Sequence, residues 1–390
     1  MSRLPPSPWR IAGWALFLAC SWTWCIGMFM PALMARDFGW PGFLVFAVPN
    51  VLGAAAMAWF YGSAEASRRF VEEHKPAVIG FSLVTILYQA FFLGWLCTGW
   101  NPADSLPWLV PLAVVAWTAL AFVQRTPRVL VAAGVVWAIS MGAGVYLANT
   151  GRLEWQSRAE PFFESGLIWM APVSTLGFLL CPHLDPTFHR ARRGMGRNES
   201  RAAFALGFGV FFAAMIALTY AAREHLLWGE SATDLAPKLY AVHAVIQLCF
   251  TVRVHAAALR DLPTLRMPRR WVATAITLGL SLGIAMSFWS GLEDAGVSGR
   301  EVAYRVLLSA YGLLFPGYLL IAKARGRADR ITYWLAAAAV CVAGVFYWNG
   351  FLELDEPHNE LWLVPGLVVV FAAAALAPSL GRQRTKLARV

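Results

Sequence analysis

Charged residues are scarce in this chain. Asp, Glu, Lys and Arg together make up 14% of the 390 residues, whereas hydrophobic residues make up 59% and the mean hydropathy is +0.56. A water-soluble globular domain has about 25% charged residues, so the composition excludes that class and indicates an integral membrane protein. No polar connection is long enough for a separate soluble domain, since the longest covers only residues 183–201.

Motifs that bind nucleotides, metals or haem are also absent. Without GxxxxGK[ST], HExxH or CxxCH, neither ATP-driven pumping nor metal-dependent hydrolysis has a basis in this sequence. The six cysteines have no CxxC spacing and lie in or beside apolar segments, which disfavours disulfides and thiolate metal sites. His183 and His189 flank Asp185, but an intervening proline disfavours a shared metal-binding face. We therefore expect no metal site and no bound cofactor.

The apolar residues are grouped in runs long enough to cross a bilayer. A helix needs about 20 residues to span a hydrocarbon core of about 30 Å, and backbone exposed to lipid must be hydrogen-bonded internally. The sequence therefore predicts an all-α polytopic membrane protein of about twelve transmembrane helices, numbered here as spans 1 to 12. Their predicted limits are 11–34, 40–62, 77–99, 107–124, 128–149, 163–182, 202–222, 238–259, 271–292, 302–322, 331–351 and 361–380.

The net charge of +10 is distributed unevenly between the turns. Most of the 32 Lys and Arg lie in the two tails and in the even-numbered turns, for example Arg190, Arg192 and Arg193. The positive-inside rule then places both termini in the cytoplasm. We expect a bacterial inner-membrane protein whose basic residues contact anionic lipids on the cytoplasmic side, with no nucleic acid as a partner.

Two segments share a pattern of small and polar residues within an apolar run. Residues 20–31 read CSWTWCIGMFMP, in span 1, and residues 171–182 read APVSTLGFLLCP, in span 6. Two spans after each segment, one glutamine lies deep in the membrane: Gln89 in span 3 and Gln247 in span 8. An offset of five spans is odd, so the two halves of the chain should lie in opposite orientations across the membrane.

This inverted repeat resembles the leucine-transporter fold of the sodium/solute symporters, the nucleobase-cation symporters and the amino acid-polyamine-organocation transporters. The segment FLLCPHLDPTFHRAR at residues 178–192 is similar to the inner half of span 6 in the nucleobase-cation symporters. The resemblance implies a first helix that is interrupted in each half. It also implies two five-span repeats, residues 1–150 and 151–325, followed by two additional spans and a basic tail in residues 326–390.

A helix that unwinds inside the bilayer persists only where other groups satisfy its freed backbone atoms. We therefore expect the interruptions of spans 1 and 6, together with the polar faces of spans 3 and 8, to form a solute site. In the alternative interpretation, the small residues serve close helix packing and each hydroxyl bonds to its own helical turn. The candidate substrate-binding residues are Ser21, Thr23, Cys25, Gly27, Tyr88, Gln89, Ser174, Thr175, Gly177, His243 and Gln247.

A coupling ion is the least defined part of the prediction. In the sodium-coupled relatives, an ion lies between span 1 carbonyls and paired span 8 hydroxyls. Here Thr251 is the only hydroxyl in the corresponding position, so Na⁺ and H⁺ both remain open. Arg253 is expected to extend to the cytoplasmic headgroups. The acidic residues Glu164, Asp185 and Glu301 fall at the ends of spans, which leaves a carboxylate proton relay unsupported.

These observations favour a secondary transporter that moves a small polar organic solute by alternating access. A transporter-like protein that acts as a sensor or as a subunit of a membrane complex is the alternative, because the ion-site hydroxyl pair and central carboxylates are missing. An intramembrane enzyme is less well supported, since His243 with Ser174 or Thr175 has no orienting carboxylate. We therefore expect the protein not to be an enzyme.

Overall fold

The structure is a computed structural model that describes residues 7–99, 102–122, 127–150, 153, 166–223, 235–261, 265–288, 299–352 and 359–379. All regular secondary structure in these ranges is helical, with no strand. The prediction of an all-α polytopic membrane protein is confirmed. Glu164 and the basic tail after residue 379 lie outside the described residues.

The first six spans follow the predicted order. Span 1 consists of two helices separated by Thr23 and Trp24, and its second half continues into span 2 through a kink. A short amphipathic helix, Ala64–Glu73, connects spans 2 and 3. The helices are Pro8–Trp22 (span 1, first half), Cys25–Phe60 (span 1, second half, and span 2), Lys75–Gly99, Pro102–Phe122, Arg128–Asn149, and Leu167–Leu180 with Cys181–Leu184 and Pro186–Gly194 (span 6).

Three of the last six spans contain a turn of π-helix. These turns are Gly207–Phe212 in span 7, Ala310–Leu314 in span 10 and Trp348–Leu352 in span 11. The helices are Arg197–Leu206 and Ala213–Ala221 (span 7), Leu235–Asp261 (span 8), Arg269–Ala285 (span 9), Gly299–Ser309 and Phe315–Arg325 (span 10), Arg330–Tyr347 (span 11), and Leu363–Leu376 after a short 3₁₀ turn, Asn359–Trp362 (span 12).

Nine helices in the described residues are long and apolar enough to cross a membrane. The prediction of about twelve exceeds this number for three local reasons. The first half of span 1 is short because the span is interrupted, and spans 1 and 2 are joined at Gly39, whose φ of 68° is a conformation that glycine adopts readily. The helix of span 9, Arg269–Ala285, has only 17 residues, and of span 4, Pro102–Phe122, the structure describes an apolar surface only for Pro107–Leu120.

Span 1 lies at the centre of the buried core. Its side chains are buried from Phe17 through Ala35, including the polar Ser21 and Thr23. Spans 3 and 8 are the next most buried, whereas span 12 is mostly exposed along its apolar surface. Exposed apolar side chains such as Val114, Val131 and Val368 then face lipid, as expected for an integral membrane protein.

Candidate functional site

The interruption of span 1 lies inside the predicted segment. Thr23 (φ −75°, ψ 82°) ends the first helix, and the extended Trp24 (φ −89°, ψ −178°) precedes the second. The hydroxyl of Ser21 donates to Leu18 O at 3.1 Å, and that of Thr23 donates to Ala19 O at 2.9 Å. Both hydroxyls therefore bond to their own helical turn, as the packing interpretation predicts, while the freed backbone groups are satisfied by other spans.

The two predicted glutamines satisfy these backbone groups from opposite sides. Gln89 Oε1 accepts a hydrogen bond from the backbone N–H of Cys25 at 3.1 Å, at the start of the second helix. Gln247 Nε2 donates to Thr23 O at 2.8 Å and to Cys20 O at 2.5 Å, at the end of the first helix. Each amide thus complements the partial charge of the helix end that it contacts.

Thr251 and Tyr88 extend this network. The hydroxyl of Thr251 lies 3.1 Å from Gln247 Nε2 and 3.5 Å from Cys20 O. Tyr88 donates to Tyr304 O at 2.9 Å, and Tyr304 donates to Cys25 O at 3.2 Å. Spans 3, 8 and 10 therefore all hold the interruption of span 1 through polar contacts.

Three buried polar atoms at this site have no hydrogen-bond partner among the described residues. They belong to residues already predicted as substrate contacts: Gln89 Nε2, Gln247 Oε1 and His243 Nδ1. His243 lies one turn from Tyr240, whose hydroxyl donates to Met28 O in the second half of span 1. Because buried polar groups are normally paired, these atoms mark places where a ligand or water is needed.

The interruption of span 6 lies further along the chain than predicted. Ser174, Thr175 and Gly177 belong to the regular helix Leu167–Leu180, so the expectation of an unwound backbone at these residues is wrong. The α-helix instead ends at a 3₁₀ turn, and Asp185 is extended (φ −78°, ψ 110°). A residue that precedes proline is disfavoured in α geometry, and Pro186 imposes this on Asp185. Pro172 lies near the start of the helix Leu167–Leu180 and does not interrupt it.

The three span 6 candidates contact other helices. Ser174 Oγ donates to Val45 O in span 2 at 3.2 Å, and Thr175 is half-buried. A Cβ added at Gly177 would lie 2.6 Å from Tyr311 O, so this glycine permits close approach of spans 6 and 10. Cys181 uses the same carbonyl, donating its thiol to Tyr311 O at 3.2 Å. Ser174 and Gly177 therefore pack against spans 2 and 10.

The space between the two interruptions is almost filled by aromatic side chains. Trp24 lies 5.3 Å from Tyr311 and 5.4 Å from Phe81 between ring centroids. The remaining cavity, about 10 Å³, is bordered by Trp22, Trp24, Gly27 and Asn50, and it is roughly the size of one water molecule. A solute can enter only after one or more of these rings move.

A second cavity of about 30 Å³ lies between spans 6, 10, 11 and 12. Ser174 and Gly177 border it together with apolar side chains, including Met170 and Tyr347. It is larger than the central cavity but has almost no polar surface, so it offers little for recognition of a polar solute. The polar, unsatisfied atoms and the larger empty space are thus in different places.

Asp185 occupies a different position from the one predicted. It was expected at a span end, but the structure buries it completely at the interruption of span 6. Its Oδ1 accepts hydrogen bonds from the backbone N–H and the hydroxyl of Thr187, both at 2.7 Å, and caps the second helix of the span. Thr187 also lies 3.2 Å from Ser21 Oγ, which joins the interruptions of spans 1 and 6.

Four charged side chains, three of them buried and Arg36 half-buried, connect the second half of span 1 with the start of span 10. Arg36 donates to both carboxylate oxygens of Glu301, at 2.7 and 2.8 Å, and to Asp37 at 2.7 Å. Arg305 donates to Glu301 at 3.0 Å and to Asp37 at 2.5 Å. The two arginines and two carboxylates balance, so this group, here called the charge cluster, is neutral. It fixes the two spans together at that end.

Arg253 is held by a neighbouring helix. Its guanidinium lies 3.5 Å from the centre of the Trp117 ring, and Nη2 donates to Trp117 O at 2.8 Å. This cation–π contact forms because Trp117 in span 4 lies against this part of span 8. The expected extension of Arg253 to the headgroups stays a prediction. Arg253 is therefore no part of the site at the interruptions.

Several residues of the site carried no clear sequence signal. Trp24, Tyr311 and His255 meet at the interruptions, with Trp24 5.7 Å from the His255 ring. Tyr311 lies in the π turn of span 10 and contacts Thr85 through its hydroxyl at 2.9 Å. Aromatic residues are common in all spans, so composition could not single these out. For Asp185, the dipeptide Asp-Pro was the available signal.

Comparison with known proteins supports the fold. No family model and no curated protein matches the chain. The substrate-bound, outward-open structure of a Na⁺-coupled sialic acid symporter superimposes with a TM-score of 0.53 at 13% identity, covering 96% of this chain and 90% of that chain. The inward-facing conformation of Mhp1 gives 0.52 at 14% identity, covering 96% and 91%.

Both structures are transporters of the leucine-transporter fold, and the present chain has this fold. The resemblance stated from the sequence is therefore confirmed. Identities of 13 and 14% establish the arrangement of the helices and leave the solute and the coupling ion to be argued from the residues themselves.

Proposed function

We propose that the protein is a secondary transporter that moves a small polar organic solute by alternating access. The observation that carries the proposal is the interruption of span 1, whose two helix ends are held by Gln89 and Gln247. In each amide, one atom forms a hydrogen bond with the backbone and the other has no hydrogen-bond partner among the described residues. A solute that offers an acceptor to Gln89 Nε2 and a donor to Gln247 Oε1 would complete both amides.

His243 and Tyr88 would contribute specificity at this site. His243 Nδ1 is buried without a partner among the described residues, and Tyr88 packs beside Cys25. Gly27 borders the small central cavity, where Trp24 must move to admit the solute. Ser21 and Thr23 contribute mainly through their backbone, because their hydroxyls bond to their own turn. Ser174, Thr175 and Gly177 would act by packing rather than by contact.

Sodium coupling is one option for driving transport. The carbonyls of Cys20 and Thr23 and the hydroxyl of Thr251 form a set of oxygen atoms of the kind that binds Na⁺. The amide nitrogen of Gln247 lies within hydrogen-bond distance of all three oxygens, so Na⁺ would have to displace it. The sialic acid symporter is Na⁺-coupled, but its similarity alone does not decide the ion for this chain.

The positions of the basic residues support cytoplasmic termini and contact with anionic lipids in a bacterial inner membrane. We retain the division into repeats at residues 1–150 and 151–325, with residues 326–390 as an addition. The interruptions in spans 1 and 6 support this division, because each lies in the first span of its proposed repeat.

One observation favours a second function. The central cavity has room for only about one water, which suits a sensor or a complex subunit that no longer admits a solute. The intramembrane enzyme gains no such support, because Ser174 donates to Val45 O in span 2, and among the described residues no hydrogen bond joins it to His243.

Uptake by liposomes containing the purified full-length protein tests the proposal. Labelled amino acids, nucleobases and sugars are screened with imposed Na⁺ or proton gradients, and the expected result is gradient-dependent uptake of at least one. Gln89→Leu should abolish that uptake, whereas Thr118→Val, a change at an exposed span 4 hydroxyl, should not. A folded protein that accumulates none of these solutes, and is not stabilised by any, would support the sensor or subunit function instead.

A further inference from the structure

Asp185 and His255 face each other across the centre of the protein with one unsatisfied atom each. Both side chains are fully buried, Asp185 at the interruption of span 6 and His255 in span 8. Asp185 Oδ2 lies 3.8 Å from His255 Nε2. Neither atom has a hydrogen-bond partner among the described residues. A separation of 3.8 Å exceeds a hydrogen bond, but a movement of less than about 1 Å would form one.

The other atoms of both groups are fixed. Asp185 Oδ1 accepts the two bonds from Thr187, and His255 Nδ1 lies 2.8 Å from the hydroxyl of Ser82 in span 3. Each side chain therefore points its remaining atom at the other. The pair connects spans 3, 6 and 8, and through Thr187 and Ser21 it reaches the interruption of span 1.

In the part of the chain that the structure describes, no Lys or Arg lies in an ion pair that would balance an ionised Asp185. Trp24 packs against the His255 ring, and Tyr311 in span 10 is a titratable group that interacts electrostatically with Asp185. Cys181 donates its thiol to Tyr311 O. The neighbouring His189 is occupied by Ser67 and by His183 O. A buried carboxylate without a partner is costly, so this site favours a state with one added proton.

We propose that Asp185 and His255 together bind one proton and that this proton is the coupling ion. The inference rests on the proposed transport function and specifies its energy source. When the proton binds, the pair becomes neutral as a whole and the hydrogen bond between Oδ2 and Nε2 closes. When the proton leaves, the remaining ring hydrogen is on Nδ1 and donates to Ser82 Oγ, so Oδ2 and Nε2 are both acceptors, the bond opens and Asp185 carries an uncompensated charge. The proton is taken up and released unchanged, and no other reactant is needed.

Closure of this bond would move the interruption of span 6 toward span 8. Because Thr187 also contacts Ser21, the same movement reaches the helix end that Gln247 holds in span 1. Protonation and rearrangement of the solute site would therefore be linked mechanically. Coupled transport needs this linkage, since a ligand shifts a conformational equilibrium only through its different affinity for the two states.

Proton binding can be measured without knowing the solute. Purified full-length protein in liposomes is titrated between pH 8 and pH 5 while infrared difference spectra follow the carboxylic acid C=O band. The wild type should show a band that Asp185→Asn removes, with about one proton fewer bound per molecule in a dye-based count. His255→Gln should shift the midpoint of that band, because the pair titrates as a unit. Asp329→Asn and His74→Gln serve as controls, since both residues lie outside the pair.

The outcomes separate this inference from the transport function. A pH-dependent band assigned to Asp185 in a protein that transports nothing would keep the proton site and overturn the transporter. Gradient-driven uptake that persists in Asp185→Asn, with no band lost, would overturn the proton site alone. Should Na⁺ at constant pH produce the same change at Asp185, the bound ion is Na⁺ and the proton assignment is wrong. Ser82→Ala, which removes only the positioning bond, should shift the midpoint even if Asp185→Asn fails to fold.

Discussion

At the scale of single residues, two glutamines explain why an interrupted helix can persist in the middle of the bundle. The freed backbone groups are the N–H of Cys25 and the carbonyls of Cys20 and Thr23, and an amide side chain can serve either kind. Gln89 presents its oxygen to the donor and Gln247 presents its nitrogen to the acceptors. A hydroxyl or a carboxylate could serve only part of this set.

Gln247→Glu should convert the backbone carbonyls into a cation site. The substitution keeps the size of the side chain but replaces the donor nitrogen with a carboxylate oxygen, beside Cys20 O, Thr23 O and Thr251 Oγ1. Loss of a buried donor destabilises by about 1–3 kcal/mol, so the melting temperature should fall without Na⁺ and recover with it. Thermal denaturation of the purified protein in NaCl and in choline chloride measures this, and the wild type should show no such difference. Equal melting temperatures for the variant in both salts would contradict it.

Gly177 and Gly27 should respond differently to the same substitution. An added Cβ at Gly177 would meet Tyr311 O at 2.6 Å, whereas at Gly27 the nearest atom is a Phe212 ring carbon at 3.5 Å. Gly177→Ala should therefore destabilise by about 1–3 kcal/mol through overpacking, and Gly27→Ala should leave the melting temperature nearly unchanged. Parallel melting curves check both. Equal decreases in melting temperature for the two variants would show that spans 6 and 10 can move apart to make room for the added methyl group.

At the scale of helices, each interruption has its own cause, and this decides how well the sequence could predict it. Span 1 is interrupted with no proline at Thr23 or Trp24, so its break depends on partners in spans 3 and 8 that lie far away in the chain. Its small and polar residues still marked the correct segment. In span 6, the local rule for a residue before proline determines the break at Asp185. The hydroxyls of Ser174 and Thr175 misled the prediction, because hydroxyls are common within membrane helices.

Span 10 is joined to span 1 by the charge cluster, and removal of one charge should loosen that end. Arg305→Gln removes one of the two arginines that contact Asp37 and Glu301, and loss of one partner in a buried ion pair costs about 3–5 kcal/mol. Hydrogen exchange followed by mass spectrometry should show faster exchange in peptides covering residues 36–42 and 299–305. Arg68→Gln, in the exposed ion pairs of the short helix, is the control and should leave these peptides unchanged. Unchanged exchange in Arg305→Gln would mean that the cluster does not hold the spans together.

At the scale of the whole molecule, run lengths predicted the all-helical membrane architecture, although the predicted twelve spans exceed the nine long apolar helices of the described residues. The inverted repeat, inferred from an odd offset, stays a prediction. Run length reports membrane thickness, which acts on every span alike, and this made the architecture predictable. The filling of the site was not predictable, because it depends on which aromatic rings from spans 1, 3 and 10 meet. The position of Trp24 between Phe81 and Tyr311 is an example.

The orientation of the molecule can be tested with reporter fusions. If both termini are cytoplasmic, alkaline phosphatase fused at Gly326, between spans 10 and 11, should be inactive, whereas a fusion at Gly299, before span 10, should be active. A fluorescent protein fused at the same positions should give the opposite pattern. These reporters differ in which side of the membrane they mature on, so the pair controls for expression. A reversed pattern would place the termini outside.

The π turn of span 10 gives the aromatic centre a way to open. A turn of this kind carries one residue more than an α turn, and an α-helix advances about 100° for each residue. If the extra residue at Ala310–Leu314 moved along the span, Tyr311 would rotate away from Trp24 while both ends of the helix kept their neighbours. The Tyr311 ring could then move away from Trp24 by a local rotation of the helix. The start of span 10 would stay bound to span 1 through the charge cluster during this movement.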